Sequence, residues 1–135
     1  MLRLTLALSM SFALALSAAQ AQMTSDVRFD TGNFGTRVSG TITGDEYHDF
    51  RLGASEGQEM FIELVVGDST GNGTVYFNLL PPGSDGVAIY NGSTYGTTAT
   101  IDLPETGTYT IRVYQMGNDR DTGATTGFDL NLSIQ

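Results

Sequence analysis

The chain has 135 residues, with 17 glycines, one histidine, no cysteine, and six Lys+Arg against 15 Asp+Glu, for a net charge of -9. Without cysteine there are no disulfides and no cysteine-built zinc sites. The acidic balance argues against nucleic acid or an anionic membrane surface as partner; it favours solubility and a basic protein partner.

Residues 1–21 read as a targeting segment. Arg3 is a short basic head, Leu4 to Leu16 is a mostly apolar run, and Ala19-Gln20-Ala21 supplies small residues where a signal peptidase reads. A secretory signal peptide cleaved after Ala21 is expected, so the product is periplasmic or secreted. The apolar run is too short for a transmembrane anchor, and no cysteine is present for lipidation. Residues 22–135 make one domain. Every basic residue is Arg and Arg3 leaves with the signal, so 5 arginines against 15 acids give this part −10.

Period-two alternation runs through the domain, and helical periodicity does not. A weak strand is expected near Asp26 to Phe29. Val38, Gly40 and Ile42 then alternate with Ser39 and Thr41, and His48, Phe50 and Leu52 with Tyr47, Asp49 and Arg51. Met60, Ile62, Leu64 and Val66 form the next inner set, followed by Val75, Phe77 and Leu79, by Val87 and Ile89, and by Ala99, Ile101 and Leu103. Tyr109, Ile111 and Val113 alternate with Thr110, Arg112 and Tyr114. The last run sets Phe128, Leu130, Leu132 and Ile134 against Asp129, Asn131 and Ser133. Gly, Pro, Asn and Asp clusters punctuate these runs. About eight short strands at this spacing predict an all-β antiparallel β-sandwich or jelly-roll in one domain.

Catalytic groups are sparse. His48 falls on the inner face with Phe50 and Leu52, where a structural histidine is expected rather than the base of a Ser-His-Asp site. Asp45, Glu46 and Asp49 cluster, as do Asp119 and Asp121. Paired carboxylates hydrolyse glycosides in other folds, but an acidic chain forms such clusters by chance and a small domain offers little cleft. No enzymatic activity is expected. Asp119-Arg120-Asp121-Thr122-Gly123 has the Asp-x-Asp-x-Gly skeleton of a calcium loop, yet the twelfth position is Leu130 where an EF-hand needs Glu. A looser calcium site on Asp119 and Asp121 stays open beside the alternative that Asn and Asp cap a turn. Tyr47, Arg51, Arg112 and Tyr114 point outward on two strands. They suit a protein interface or, equally, an ordinary polar sheet face.

The C-terminal stretch Thr106 to Gln135 resembles the bacterial periplasmic inhibitors of g-type lysozyme. In that family a strand carrying Leu-Arg-Val and a Gln ends in an Arg-Asn-Asp-Ala-Arg loop, and an amphipathic strand follows. The matching residues are Arg112, Val113, Gln115, Asn118 and Asp119. Gly44, Tyr47, Ala54, Gly57 and Gln58 fall in register with the same family, and the likeness is weakest between about Gly67 and Gly96. The resemblance implies a β-sandwich whose loops enter a lysozyme's sugar-binding cleft, with a cation pairing the catalytic carboxylate. Tyr47, Asn118 and Asp119 carry over. The family's two loop arginines fall on Gly117 and Asp121, with Arg120 beside the second. Lysozymes act on anionic walls and tend to be basic, which suits a partner at −10. The same architecture occurs in the pre-peptidase C-terminal domains, some of which bind calcium or carbohydrate, and a module of that kind is the alternative. A homodimer through an exposed sheet also stays open.

Overall fold

The structure is a computed structural model that describes residues 22–135; the expected signal peptide lies outside the described residues. The strands are β1 (Gln22–Asp26), β2 (Gly35–Thr43), β3 (Tyr47–Ala54), β4 (Glu59–Ser69), β5 (Val75–Leu80), β6 (Tyr90–Asn91), β7 (Thr98–Asp102), β8 (Gly107–Gln115) and β9 (Thr125–Ile134). Two single helical turns, α1 (Gly92–Tyr95) and α2 (Gly117–Asp121), interrupt them. One sheet has the order β1-β3-β8-β5-β6 and the other β2-β9-β4-β7. Their apolar faces share one core, in which Phe50, Phe77, Tyr109 and Ile111 of the first sheet meet Ile42, Ile62, Leu130 and Leu132 of the second.

Alternation explains why these runs are strands. Along β8, Tyr109, Ile111, Val113 and Gln115 are buried while Thr110, Arg112 and Tyr114 are half-buried, and β9 alternates over its full length. Each residue on a sheet's inner side removes apolar surface from water, and its neighbours stay wet. His48 is partly buried as expected. Its ring stacks on Phe50 with centroids 4.0 Å apart, Nε2 shares a 2.8 Å hydrogen bond with Ser25 Oγ, and burial lowers its pKa despite the neighbouring Asp49.

Four expectations need correction. The first strand is Gln22–Asp26 rather than 26–29, and it pairs parallel to β3 in an otherwise antiparallel sheet. Val27 and Phe29 do pack on the core, but from the connection that leads to β2 in the other sheet. Val87 and Ile89 are not a core strand: they are 77% and 42% exposed, in a turn where Ser84 Oγ bonds the Val87 carbonyl. Val66 is 38% exposed because β4 runs past β7, whose pairing stops at Glu63, and its register with β9 shifts after Val66. The segment after Met116, expected as a loop, is a helical turn, α2.

Candidate functional site

Cross-strand register builds a polar outer face on the first sheet. Tyr47 of β3 stands opposite Tyr114 of β8, which stands opposite Tyr76 of β5. The next row is Asp49, Arg112, Asn78 and Asn91. The four outward residues expected from alternation therefore do share a face, and Arg51 continues it beside Thr110.

Arg112 is not free on that face. Its Nε and Nη2 donate to the two oxygens of Asp49 at 2.8 and 3.0 Å, a two-point pair. Gln22 Nε2 also donates to Asp49, at 3.1 Å. The Arg112 guanidinium lies 4.4 Å from the centre of the Tyr47 ring, so one cation holds both a carboxylate and an aromatic face. The hydrogen bonds to Asp49 raise its pKa, which keeps it charged. This arrangement fixes the Tyr47 ring. Tyr114 Oη donates to Asn78 Oδ1 at 2.8 Å, and the backbone N–H of Gly92 donates to the same oxygen at 3.3 Å.

The α2 turn rises at the end of this face. An open hollow of about 340 Å³ lies between them, lined by Tyr47, Tyr114, Arg112, Asn91, Ser93 and Arg120 among others. Arg120 also lines an adjoining hollow with Gly44, Asp45, Asp121 and Gly123. Tyr47 and Arg120, far apart in the chain, thus border one concavity. Arg120 and Asn118 are exposed. The Asn118 carbonyl accepts from Thr122 N at 2.9 Å and Thr122 Oγ1 at 2.7 Å, closing the turn.

Asp119 is placed differently from a surface contact. It is 1% exposed, and its carboxylate accepts the backbone N–H of Asn72 at 2.9 Å and of Thr74 at 2.8 Å. These bonds, Asn72 first, hold its pKa below the usual carboxylate range. A Cβ at Gly71 would lie 2.2 Å from Asp119 Oδ1, so only glycine lets the 70–74 loop wrap the carboxylate this closely. Asp119 is a latch between that loop and α2. Its oxygens accept from N–H donors, and among the described residues no group of three or more His, Cys, Asp or Glu lies together.

Gln115 is a second latch. It is 2% exposed; its Nε2 donates to the carbonyls of Ala124 at 2.8 Å and Gly44 at 3.3 Å, and its Oε1 accepts from Thr126 Oγ1 at 2.8 Å. One side chain ties β8 to the turn at Gly44 and to the start of β9. Gln115 and Asp119 together lock three loops into one rim.

Sequence reasoning missed Asn78, Asn91 and Ser93 as lining residues, and Asp49 as the partner of Arg112. The Asp49 signal was present, two residues from Tyr47 on the same face, but only the register between β3 and β8 identifies its partner.

No protein-family model matches the sequence, and no curated protein matches it. Solved structures do. The chain is similar to PliG of Aeromonas hydrophila, a periplasmic inhibitor of g-type lysozyme, at 29% identity and TM-score 0.76, covering 87% of this chain and 100% of that one. It is similar to PliG of Salmonella Typhimurium, with the same described role, at 26% identity and TM-score 0.63, covering 84% and 98%. A mutant of the Escherichia coli PliG shares the fold at 24% identity and TM-score 0.66, over 85% and 100%.

Proposed function

We propose that this chain, built like the PliG inhibitors, is itself an exported inhibitor of lysozyme, of the g-type first, and not an enzyme. The observation that carries the reading is the hollow bordered by both Tyr47 and Arg120, on a chain that aligns with the whole of the Aeromonas protein. The rim enters the enzyme's sugar-binding groove and shuts out the wall polysaccharide. Arg120 supplies a cation for the groove's catalytic carboxylate. Tyr47, held by Arg112, supplies a rigid aromatic edge, and Asn118 presents an exposed polar side chain from the same turn. Asp119 serves from beneath by fixing the turn. Rigid presentation matters because side chains already ordered lose less entropy on binding.

Charge assists the approach. With 5 arginines and 15 acids in residues 22–135, the chain at −10 draws a basic enzyme, mainly through the association rate. Purified residues 22–135 are expected to slow lysis of bacterial walls by g-type lysozyme at micromolar concentration in a turbidity assay. If g-, c- and i-type lysozymes are all untouched, the reading fails.

The alternative of a calcium- or carbohydrate-binding module has its own readout. Under the inhibitor reading, calcium leaves the melting temperature unchanged, since the Asp119 oxygens are already used by backbone N–H groups. A calcium-dependent rise that EDTA abolishes would instead favour the module.

A further inference from the structure

Seven large apolar side chains are exposed among the described residues, and three of them crowd one short segment: Val87 (77%), Ile89 (42%) and Tyr95 (73%). A fourth, Met116, lines the hollow beside Tyr114. Single exposed apolar residues are ordinary, whereas a cluster marks an interaction surface. The segment that carries them flanks the hollow, because Asn91 and Ser93, in its middle, line it. Pairing also sets the direction. Tyr90 turns inward and stacks on Phe77, with centroids 5.2 Å apart. Ile89, in the bend just before β6, is exposed.

The segment is held rather than loose. Ile89 N donates to the Leu79 carbonyl at 2.8 Å, and Tyr90 Oη donates to the Gly96 carbonyl at 2.8 Å. A Cβ at Gly92 would stand 2.2 Å from the Phe77 carbonyl oxygen, so the arm's backbone presses directly on β5. The Tyr95 ring rests beside Tyr90, with centroids 6.0 Å apart, while Val87 and Ile89 are exposed on the braced backbone.

We propose that residues 87–95 form a second contact arm for the same partner, gripping an apolar ledge beside the groove that the Arg120 rim enters. This rests on the inhibitor reading and adds the partner's surface chemistry: a basic protein with exposed apolar residues bordering its cleft. Charge and continuity select this occupant. The arm carries no cation, Asp85 precedes it, and the chain as a whole is strongly acidic, so a second copy of the chain would be repelled while a basic enzyme would not. The arm also adjoins the hollow directly through Asn91 and Ser93. Together the two surfaces grip one side of the groove and fill its interior. Because apolar contacts act over short range, the arm governs how long the complex lasts and the charges govern how fast it forms.

The double variant Val87→Ser/Tyr95→Ser tests this against the lysozyme that the unaltered chain inhibits. Its dissociation rate should rise by about tenfold or more, with the association rate and its salt dependence unchanged. Its melting temperature should fall only slightly, since both side chains are exposed and Tyr95 gives up one ring contact with Tyr90. An unchanged dissociation rate overturns the arm and leaves the inhibitor reading standing. If sedimentation finds a dimer of the unaltered chain that the double variant dissolves, the arm joins two copies instead and the proposal is wrong. If the unaltered chain inhibits no lysozyme, the inhibitor reading falls first and the arm with it.

Discussion

Replacing Arg120 with alanine is expected to raise the inhibition constant by about tenfold or more while leaving the melting temperature where it was. Truncating one partner of a desolvated charge pair costs about 2–5 kcal/mol, much of it from stranding the other charge. In residues 22–135 Arg37 is paired with Asp129 and Arg112 with Asp49. Arg120 is exposed and borders two hollows at the rim, so a groove that closes over it desolvates it together with whatever carboxylate it meets. Its removal takes nothing from the core. Arg120→Lys should recover part of the effect, since a point charge survives but the planar fork does not. An inhibition constant unmoved by Arg120→Ala removes this residue from the contact.

The second large effect concerns the latches. Gln115→Ala is expected to destabilise the domain by about 1–3 kcal/mol, because it removes three buried hydrogen bonds at once and leaves the Ala124 carbonyl only the Gly44 N–H and the Thr126 hydroxyl only Ser69. Amide exchange should accelerate at residues 43–46 and 122–126 before the rest of the domain loosens. Inhibition should weaken even at temperatures where the fold is intact, since the rim loses its brace. Asp119→Asn should act in the same direction. It keeps the volume but turns an N–H donor toward the backbone N–H groups of Asn72 or Thr74. The pH dependence follows the same bond. The folded-state pKa of Asp119 is lowered, so its stabilisation is fully present above the ordinary carboxylate pKa and is lost as pH falls through the folded value. The 70–74 loop should therefore stay protected through neutral and mildly acidic pH and loosen only below about pH 4. Equal exchange rates in Gln115→Ala and the unaltered chain would mean the rim is held by something else.

How far the sequence reached depended on the range of the forces involved. Strict alternation made β8 and β9 legible, since the inside or outside of each residue is a local, period-two property. The same property put Tyr47, Arg51, Arg112 and Tyr114 on outer faces. It could not say that Asp49 faces Arg112, because register is set by pairing residues 63 positions apart. It also misread Val87 and Ile89, whose apolar alternation resembles a core strand although Gly83, Gly86 and the Ser84 turn break the ladder. The parallel β1 was invisible for a related reason: its short polar run has no inward apolar set strong enough to declare a strand. Asp119 looked like a surface residue because a buried, charged side chain satisfied by backbone N–H groups leaves no mark in composition. Its placement depends on Gly71, 48 residues earlier in the chain. The family resemblance singled out Tyr47 and the stretch through Gln115, Asn118 and Asp119, which the fold brings to one rim, without saying which of these side chains face outward.

Lysis kinetics with g-type lysozyme, measured over a range of wall concentrations and of the purified domain, address the occlusion of the groove most directly. If the Tyr47–Arg120 rim occupies the sugar-binding cleft, wall substrate and domain exclude one another, and the apparent inhibition constant climbs linearly with substrate. A constant that stays flat as substrate rises would mean the domain binds elsewhere on the enzyme, and the rim would not be the working surface.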